Sequence, residues 1–266
     1  MESIKIIDRL EVKAMSKKDW DAQQYKEHSE PQQEGGQAII AHYPFRGDEV
    51  VLDIGCGDGR TTAEIAAKLP DGNVIGIDPS PAMITEAQKS FLSVQNLSFI
   101  QASAEDFAFD FQFDLIVSFF ALHYVVDHQT VLKKIYSALK PGGVFIVVMA
   151  GGDQPEVAEV FAREKWKALI SEQEMVWGAK TEGEYRPLLE QGGFEIIETV
   201  TQSASRLYDS KEDLLNWALV WVPYVTGLDE EKSLQFSQEI VENIAKGQKG
   251  AIKSTSPLLY VKAQKL

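Results

Sequence analysis

The stretch VVLDIGCGDGR, Val50 to Arg60, decides the fold. Four apolar residues around one acid are the run a parallel strand shows when both of its faces are buried. The alternating glycines that follow, Gly55, Gly57 and Gly59, make a turn that lets backbone approach a ligand. A dinucleotide-binding turn reads G-x-G-x-x-G, and here the third glycine falls one position early. A phosphate loop needs Gly-Lys-Ser/Thr, and Arg60 and Thr61 follow without the lysine. Asp53 stands just before the glycines, where it would repel a pyrophosphate and welcome an amine or a sulfonium.

Working outward, NVIGID (73–78), LSFIQ (97–101), FDLIVSFF (113–120) and VFIVVM (144–149) are further short apolar runs. Helical segments separate them. Asp127 is a good N-cap, and Leu132, Ile135, Tyr136 and Leu139 then fall on one face before KPGG (140–143) stops the helix. Alternating strand and helix predict a doubly wound α/β sheet whose ligand lies at the carboxyl ends of the strands. After Met149 the rhythm changes. GGDQPEVAEVFAREKWKALISEQEM (151–175) reads as a long helical segment, and GEYRPLLEQGGFEIIETV (183–200) as a helix, a glycine stop and a strand. Helical spacing returns over 209–246, with Leu214, Trp217, Ala218 and Trp221 on one face and Phe236, Ile240 and Ile244 on another, and LLYVKAQ (258–264) is a closing strand. The expected organisation is one domain over 1–266: an N-terminal lid region (1–35), a cofactor-binding core (36–150), and the remaining strands (151–266) with a helical substrate lid at about 151–180 and 209–247.

Of 266 residues, 44% are hydrophobic, enough to bury a full core. A formal net charge of −14 without Lys/Arg clusters disfavours nucleic acid as a partner, since a phosphate backbone must be neutralised by cations. Cys56 is the single cysteine, which excludes an internal disulfide and fits a reducing compartment. The opening MESIKIIDRLEVKAMSKKDW lacks the uninterrupted apolar core of a signal peptide or spanning helix, so a cytoplasmic protein without membrane attachment is expected. His28, His42 and His128 show no ligand spacing, and no metal is expected.

Asp78 lies about 20 residues beyond the glycine turn, at the end of the second strand, the usual place for a carboxylate that accepts from ribose hydroxyls. One acid for a cation and one for a ribose describe S-adenosylmethionine. VLDIGCGDG, IDPSPAMI, ASAEDF (102–107), FDLIVSFFALHYVVD and LKPGG, in that order, resemble the successive motifs of class I S-adenosylmethionine-dependent methyltransferases over roughly residues 20 to 150. The resemblance implies a Rossmann-like sheet of seven strands, the last antiparallel, which LLYVKAQ fits. It also implies roles. Gly55 and Gly57 approach the methionine part, Asp53 acts on its amino end directly or through water, and Asp78 holds the ribose. Pro79 and Met83 neighbour the adenine, although Met83 is equally suited to fill a core gap. Ser103, Ala104 and Glu105 match the turn that meets the adenine ring, with serine where many relatives carry aspartate. Ser118, Phe119 and Phe120 end the fourth strand beside the methyl group. Cys56 has no paired histidine to make it a nucleophile.

WDAQQYKEHSEPQQ (20–33) and SFFALHYV (118–125) are similar to the group that esterifies small carboxylic acids, such as the trans-aconitate and the insect juvenile hormone acid methyltransferases. That similarity places Tyr25 near the methionine end, Gln32 on the substrate carboxylate, and Tyr124 where relatives carry a tryptophan. A carboxylate is ionised at neutral pH and needs alignment and dehydration, not a base. His123 could instead deprotonate a hydroxyl or amine acceptor, yet an isolated histidine after a strand is more often structural. Gln32, His123 and Tyr124 are therefore the candidates around the chemistry, and Gln32, Phe120, Tyr124, Trp217 and Trp221 the candidates for holding the acceptor. Trp217 and Trp221, with Trp177 and Tyr224, suggest an apolar cleft and an acceptor with an apolar part. The alternatives are a carbon, nitrogen or hydroxyl methyltransferase assisted by His123, and a non-catalytic protein that binds the cofactor.

Overall fold

The computed structural model describes residues 19–28, 30–170 and 175–266, and of residues 24, 28 and 30–32 the backbone alone. Residues 1–18 of the expected lid region lie outside the described residues. Helices α1 (Ala22–His28) and α2 (Glu30–His42) lead into β1 (Val50–Ile54). Then come α3 (Arg60–Ala66), β2 (Asn73–Asp78), α4 (Pro81–Ser90), β3 (Leu97–Gln101) and β4 (Phe113–Phe119). A 3-10 turn over Leu122–Tyr124 precedes α5 (His128–Ala138) and β5 (Leu139–Ala150). The remainder runs through α6 (Pro155–Phe161), α7 (Glu164–Lys167), α8 (Glu182–Gln191), β6 (Phe194–Tyr208), α9 (Lys211–Thr226), α10 (Glu230–Ala245) and β7 (Ile252–Lys265).

Among the described residues the strands form one seven-stranded sheet in the order β3-β2-β1-β4-β5-β7-β6, with β7 antiparallel to both neighbours and the other pairs parallel. The doubly wound reading holds. Its strands are apolar runs because each buries two faces: Val51, Val117 and Val148 pack with α2 and α3 on one side, and Leu52, Ile116 and Val147 with α5 and α8 on the other. Connections start where the sequence supplies caps. The Ser80 hydroxyl accepts from the Met83 amide at 3.1 Å with Pro81 at the first turn of α4, and Asp127 accepts from the Thr130 amide at 3.0 Å to open α5. Strand order reverses between β1 and β4, so the crevice for a ligand opens at their carboxyl ends.

Three expectations change. Leu139 leaves the α5 face and pairs with Phe113, so β5 begins before KPGG. The segment from 151 forms two short helices, broken between Phe161 and Glu164, and residues 171–174 lie outside the described residues. The largest difference is at β6 and β7, which run far past 200 and well before 258. Gln202 and Ala150 both pair with Leu258, the last position the β5 edge reaches. Beyond it Ser203–Tyr208 and Ile252–Pro257 continue as a two-stranded arm. An isolated hairpin is marginal in water and needs a packed face. Here α6, α7, α9 and α10 supply it: Trp166, Leu214, Val222, Phe236 and Ile240 close over Tyr208 and Ile252 as a second apolar cluster.

Candidate functional site

The glycine turn is folded back onto the end of β2. The amides of Gly55 and Cys56 both donate to the Ile77 carbonyl, at 2.8 and 3.0 Å. Gly55 has φ 77°, and a Cβ there would stand 2.1 Å from the Ala121 methyl, so only glycine lets the tip of β4 close on the turn. Phe120 makes that approach by adopting φ 56°, a sparsely populated conformation for a bulky residue, held by a 2.7 Å bond from its amide to the Val148 carbonyl. Gly57, at φ 54°, would carry a Cβ 3.6 Å from the Tyr25 ring, so the missing side chain leaves a cradle between the turn and α1.

Asp78 accepts from the Gly57 amide at 3.0 Å and the Ser80 amide at 2.9 Å. Burial outweighs those two bonds and lifts its pKa to about 6. Asp53 lies deeper, accepts from the Thr62 hydroxyl at 2.7 Å, and is pushed by burial to about 7. It opens not on the main cavity but on a side pocket of about 30 Å³ shared with Tyr25, Gly55 and Arg60. That volume is enough for one water between Asp53 and the cradle, in keeping with an indirect contact. Arg60 ties the turn to α2 by donating to Asp58 at 2.7 Å and to Gln33 at 2.8 Å. Burial holds the Cys56 thiol protonated, well above its usual range, so it is no nucleophile.

Above the turn lies a cavity of about 870 Å³. Tyr25, Gly55, Gly57, Asp78, Pro79, Met83, Ala104 and Glu105 of the expected cofactor set line it, as do Phe120, Tyr124, Trp217 and Trp221 of the expected acceptor set. Besides Asp53, two expected cofactor residues do not. Ser103 is buried with its hydroxyl on Asp106 at 3.3 Å, leaving Ala102 and Ala104 to meet the cavity. Ser118 is fully buried and donates to the Ile54 carbonyl at 2.8 Å, locking β4 to β1, so it is Phe120 and Ala121 that reach the ligand side. Gln32 lies in α2, and its side chain is outside what is described.

His123 and Tyr124 share the 3-10 turn after β4. The His123 Nδ1 faces the Ala150 amide at 3.4 Å, which makes it an acceptor and puts the ring proton on Nε2. Its carbonyl accepts from Gly178 at 2.8 Å, and burial pulls its pKa down to about 3. The ring is neutral at physiological pH. Tyr124 meets Trp20 and Tyr224 edge-on, and Trp20 meets Tyr25, so four rings form a wall beside the cradle. The role of Trp20 was not read from the sequence, although it opens the very stretch that supplied Tyr25. Among the described residues no group of three or more His, Cys, Asp or Glu is placed to hold a metal, and no helix is long and apolar enough to cross a membrane.

A family model described as a methyltransferase domain matches residues 51–143, the span from β1 into β5. A trans-aconitate 2-methyltransferase of Methylobacterium radiotolerans is 34% identical over 131 residues, so this chain spans about half the length of that relative, 49% of each. Another from Shigella dysenteriae is 26% identical over 256 residues, covering 93% of this chain and 98% of the relative. Among solved structures, the YcgJ protein of Bacillus subtilis superposes with a TM-score of 0.60 at 17% identity, covering 87% of this chain and 98% of that one. The glycine turn, the acids at the ends of β1 and β2, the seven-stranded order and these matches agree on a methyltransferase domain over residues 51–143.

Proposed function

We propose that the protein transfers a methyl group from S-adenosylmethionine to the carboxylate of a small molecule with an apolar body. The observation that carries the acceptor class is His123: the residue best placed to act as a base has Nδ1 turned to a backbone amide and burial holding its pKa near 3. A site without a poised base suits an acceptor that is already an anion. When bound, S-adenosylmethionine supplies an electrophilic methyl that a carboxylate takes in line without giving up a proton. The cradle at Gly57 and the two acids fit that cofactor, with Asp78 placed for the ribose and Asp53 for the amino end through the side pocket. Trp20, Tyr25, Tyr124 and Tyr224 exclude water and present ring faces suited to a cation. Gln32 orients the acceptor carboxylate, and α6, α7, α9 and α10 serve as the lid.

Similarity to trans-aconitate 2-methyltransferases supports carboxylate methylation. A compact trianion fits the cavity poorly, because its wall brings in Glu34, Asp78, Glu105 and Asp153 against Lys167 and Arg206. The test is methyl transfer to medium-chain acids, with the product checked for lability in mild base. His123→Asn, which offers an oxygen where Nδ1 stood, is expected to stay within about tenfold of wild type and to show no limb near pH ~6.5. Gln32→Ala is expected to lower kcat/KM by ~1.5 to 3 kcal/mol, one hydrogen bond to a charged group. A base-stable product, with His123→Asn severely impaired and the rate climbing through a histidine titration, would make the acceptor a hydroxyl or an amine.

A further inference from the structure

Seen from the glycine turn, the cavity has a far end that the proposed chemistry does not use. Its floor there is the β6–β7 arm. Residues Arg206 and Ser254 are direct cross-strand partners, Ala204 and Ser256 the next such pair, and Tyr208 and Ile252 the one beyond. Alternation puts Ala204, Arg206, Tyr208, Ser254 and Ser256 on one face, and every one of them lines the cavity. The Ser205–Thr255 hydroxyl pair, at 2.9 Å, alternates with these residues, and of the two Ser205 also touches the cavity. Arg206 lies four positions beyond Gln202, which is level with the end of β5, so its backbone stands roughly 13 Å past that end at a strand rise of ~3.3 Å per residue.

The groups at this end are donors. Buried Gln154 donates from Nε2 to the Ser254 oxygen at 3.0 Å and accepts the Ser256 hydroxyl at 3.0 Å. The Ser254 oxygen is thereby engaged as an acceptor, and its hydrogen is left to donate. Arg206 lies over the Tyr208 ring, 5.3 Å from its centroid, which fixes the direction of the guanidinium. Five N–H groups let it hold a protein partner and a ligand together. Between this end and Tyr124 the wall is apolar and aromatic: Tyr208, Trp217, Trp221 and Trp177 follow one another with centroids 5.7 to 6.5 Å apart. The Trp221 Nε1–H in that wall is buried without an acceptor among the described residues, one more donor. Asp153, an acid that lines the cavity among the described residues, is exposed and accepts from the Trp177 Nε1–H at 3.2 Å.

We infer that Arg206 and Ser254 form an anion-binding subsite at the far end of the cavity, and that the acceptor is an elongated molecule with an apolar middle and a second acidic group held there. The identification of the occupant as the acceptor rests on the methyl-transfer reading of the near end. The subsite itself does not.

Calorimetric titration of decanedioate and of decanoate into protein saturated with S-adenosylhomocysteine tests the subsite without requiring turnover. Wild type is expected to bind decanedioate about tenfold more tightly than decanoate, the scale of one charge-assisted hydrogen bond. Arg206→Gln is expected to abolish that ratio and Arg206→Lys to keep part of it, while the heat of S-adenosylhomocysteine binding reports that each variant is folded. Ser254→Ala, a smaller change, is expected to reduce the ratio severalfold and serves if the arginine variants do not fold. Equal binding of the two acids by wild type, binding of neither, or a ratio that survives Arg206→Gln overturns the proposal. If the ratio depends on Arg206 but S-adenosylmethionine yields no methyl ester of decanedioate, the subsite stands and the carboxylate-acceptor reading falls.

Discussion

Asp53 and Asp78 share the underside of one glycine turn and differ in what they can touch. Asp78 spends two lone pairs on the Gly57 and Ser80 amides and turns the rest to the cavity, whereas Asp53 has the Thr62 hydroxyl and a side pocket. Asp78→Ala is therefore expected to weaken S-adenosylhomocysteine binding by about 1 to 3 kcal/mol, the loss of charge-assisted bonds to a ribose, as read by calorimetry. Unchanged affinity would remove Asp78 from the ribose. Asp53 makes a different signature. Burial raises it from 3.8 to about 7, so between those values the folded protein without ligand holds a proton that the unfolded chain has released. Stability from this group is full below pH ~4 and is lost as pH rises through about 7. Thermal melting from acid to neutral pH is expected to show that decline in wild type and a flatter profile in Asp53→Asn. Parallel profiles would mean Asp53 is already ionised in the folded protein.

At the scale of elements, what the sequence reveals depends on how many faces an element buries. Strands β1, β2, β4 and β5 are covered on both sides, so VVLDI, NVIGID and FDLIVSFF stand out as apolar runs, and the carboxyl edge that holds the turn, Asp53 and Asp78 was legible with them. The arm is covered differently. TQSASRLY (201–208) and IKSTSP (252–257) alternate small polar residues that face a cavity or solvent, leaving no apolar run to mark a strand. Arg206 and Ser254 were missed for the same reason, and Ser103 and Ser118 were misplaced because strand-end position alone does not say which way a hydroxyl turns. The aromatic face of α9 was legible from its spacing, and Trp217 and Trp221 both reach the cavity. Trp217→Ala, at a partly exposed position, is expected to raise the acceptor KM about tenfold, the scale of partial loss of a ring's apolar burial, with S-adenosylhomocysteine affinity unchanged. Loss of cofactor affinity in the folded variant would move this face out of the acceptor site.

The whole molecule imposes a field that the local contacts do not show. A formal charge of −14 surrounds a cavity whose proposed acceptor is itself an anion, so encounter is opposed at long range even though Arg206 favours the bound state. The two terms respond differently to salt. Repulsion across solvent is screened once the Debye length shrinks to ~10 Å, whereas a guanidinium within the cavity is screened much less. Raising ionic strength from ~10 to ~100 mM is therefore expected to increase kcat/KM for an acidic acceptor, more steeply for decanedioate than for decanoate, and to leave kcat unchanged. An acceptor of no charge would show no such slope. A fall in kcat/KM with salt would mean that attraction local to the cavity mouth, not the net charge, governs how the acceptor arrives. The steeper slope for the dianion is the sharper test, because each added charge on the ligand multiplies the long-range repulsion, while only one of them can be answered by Arg206.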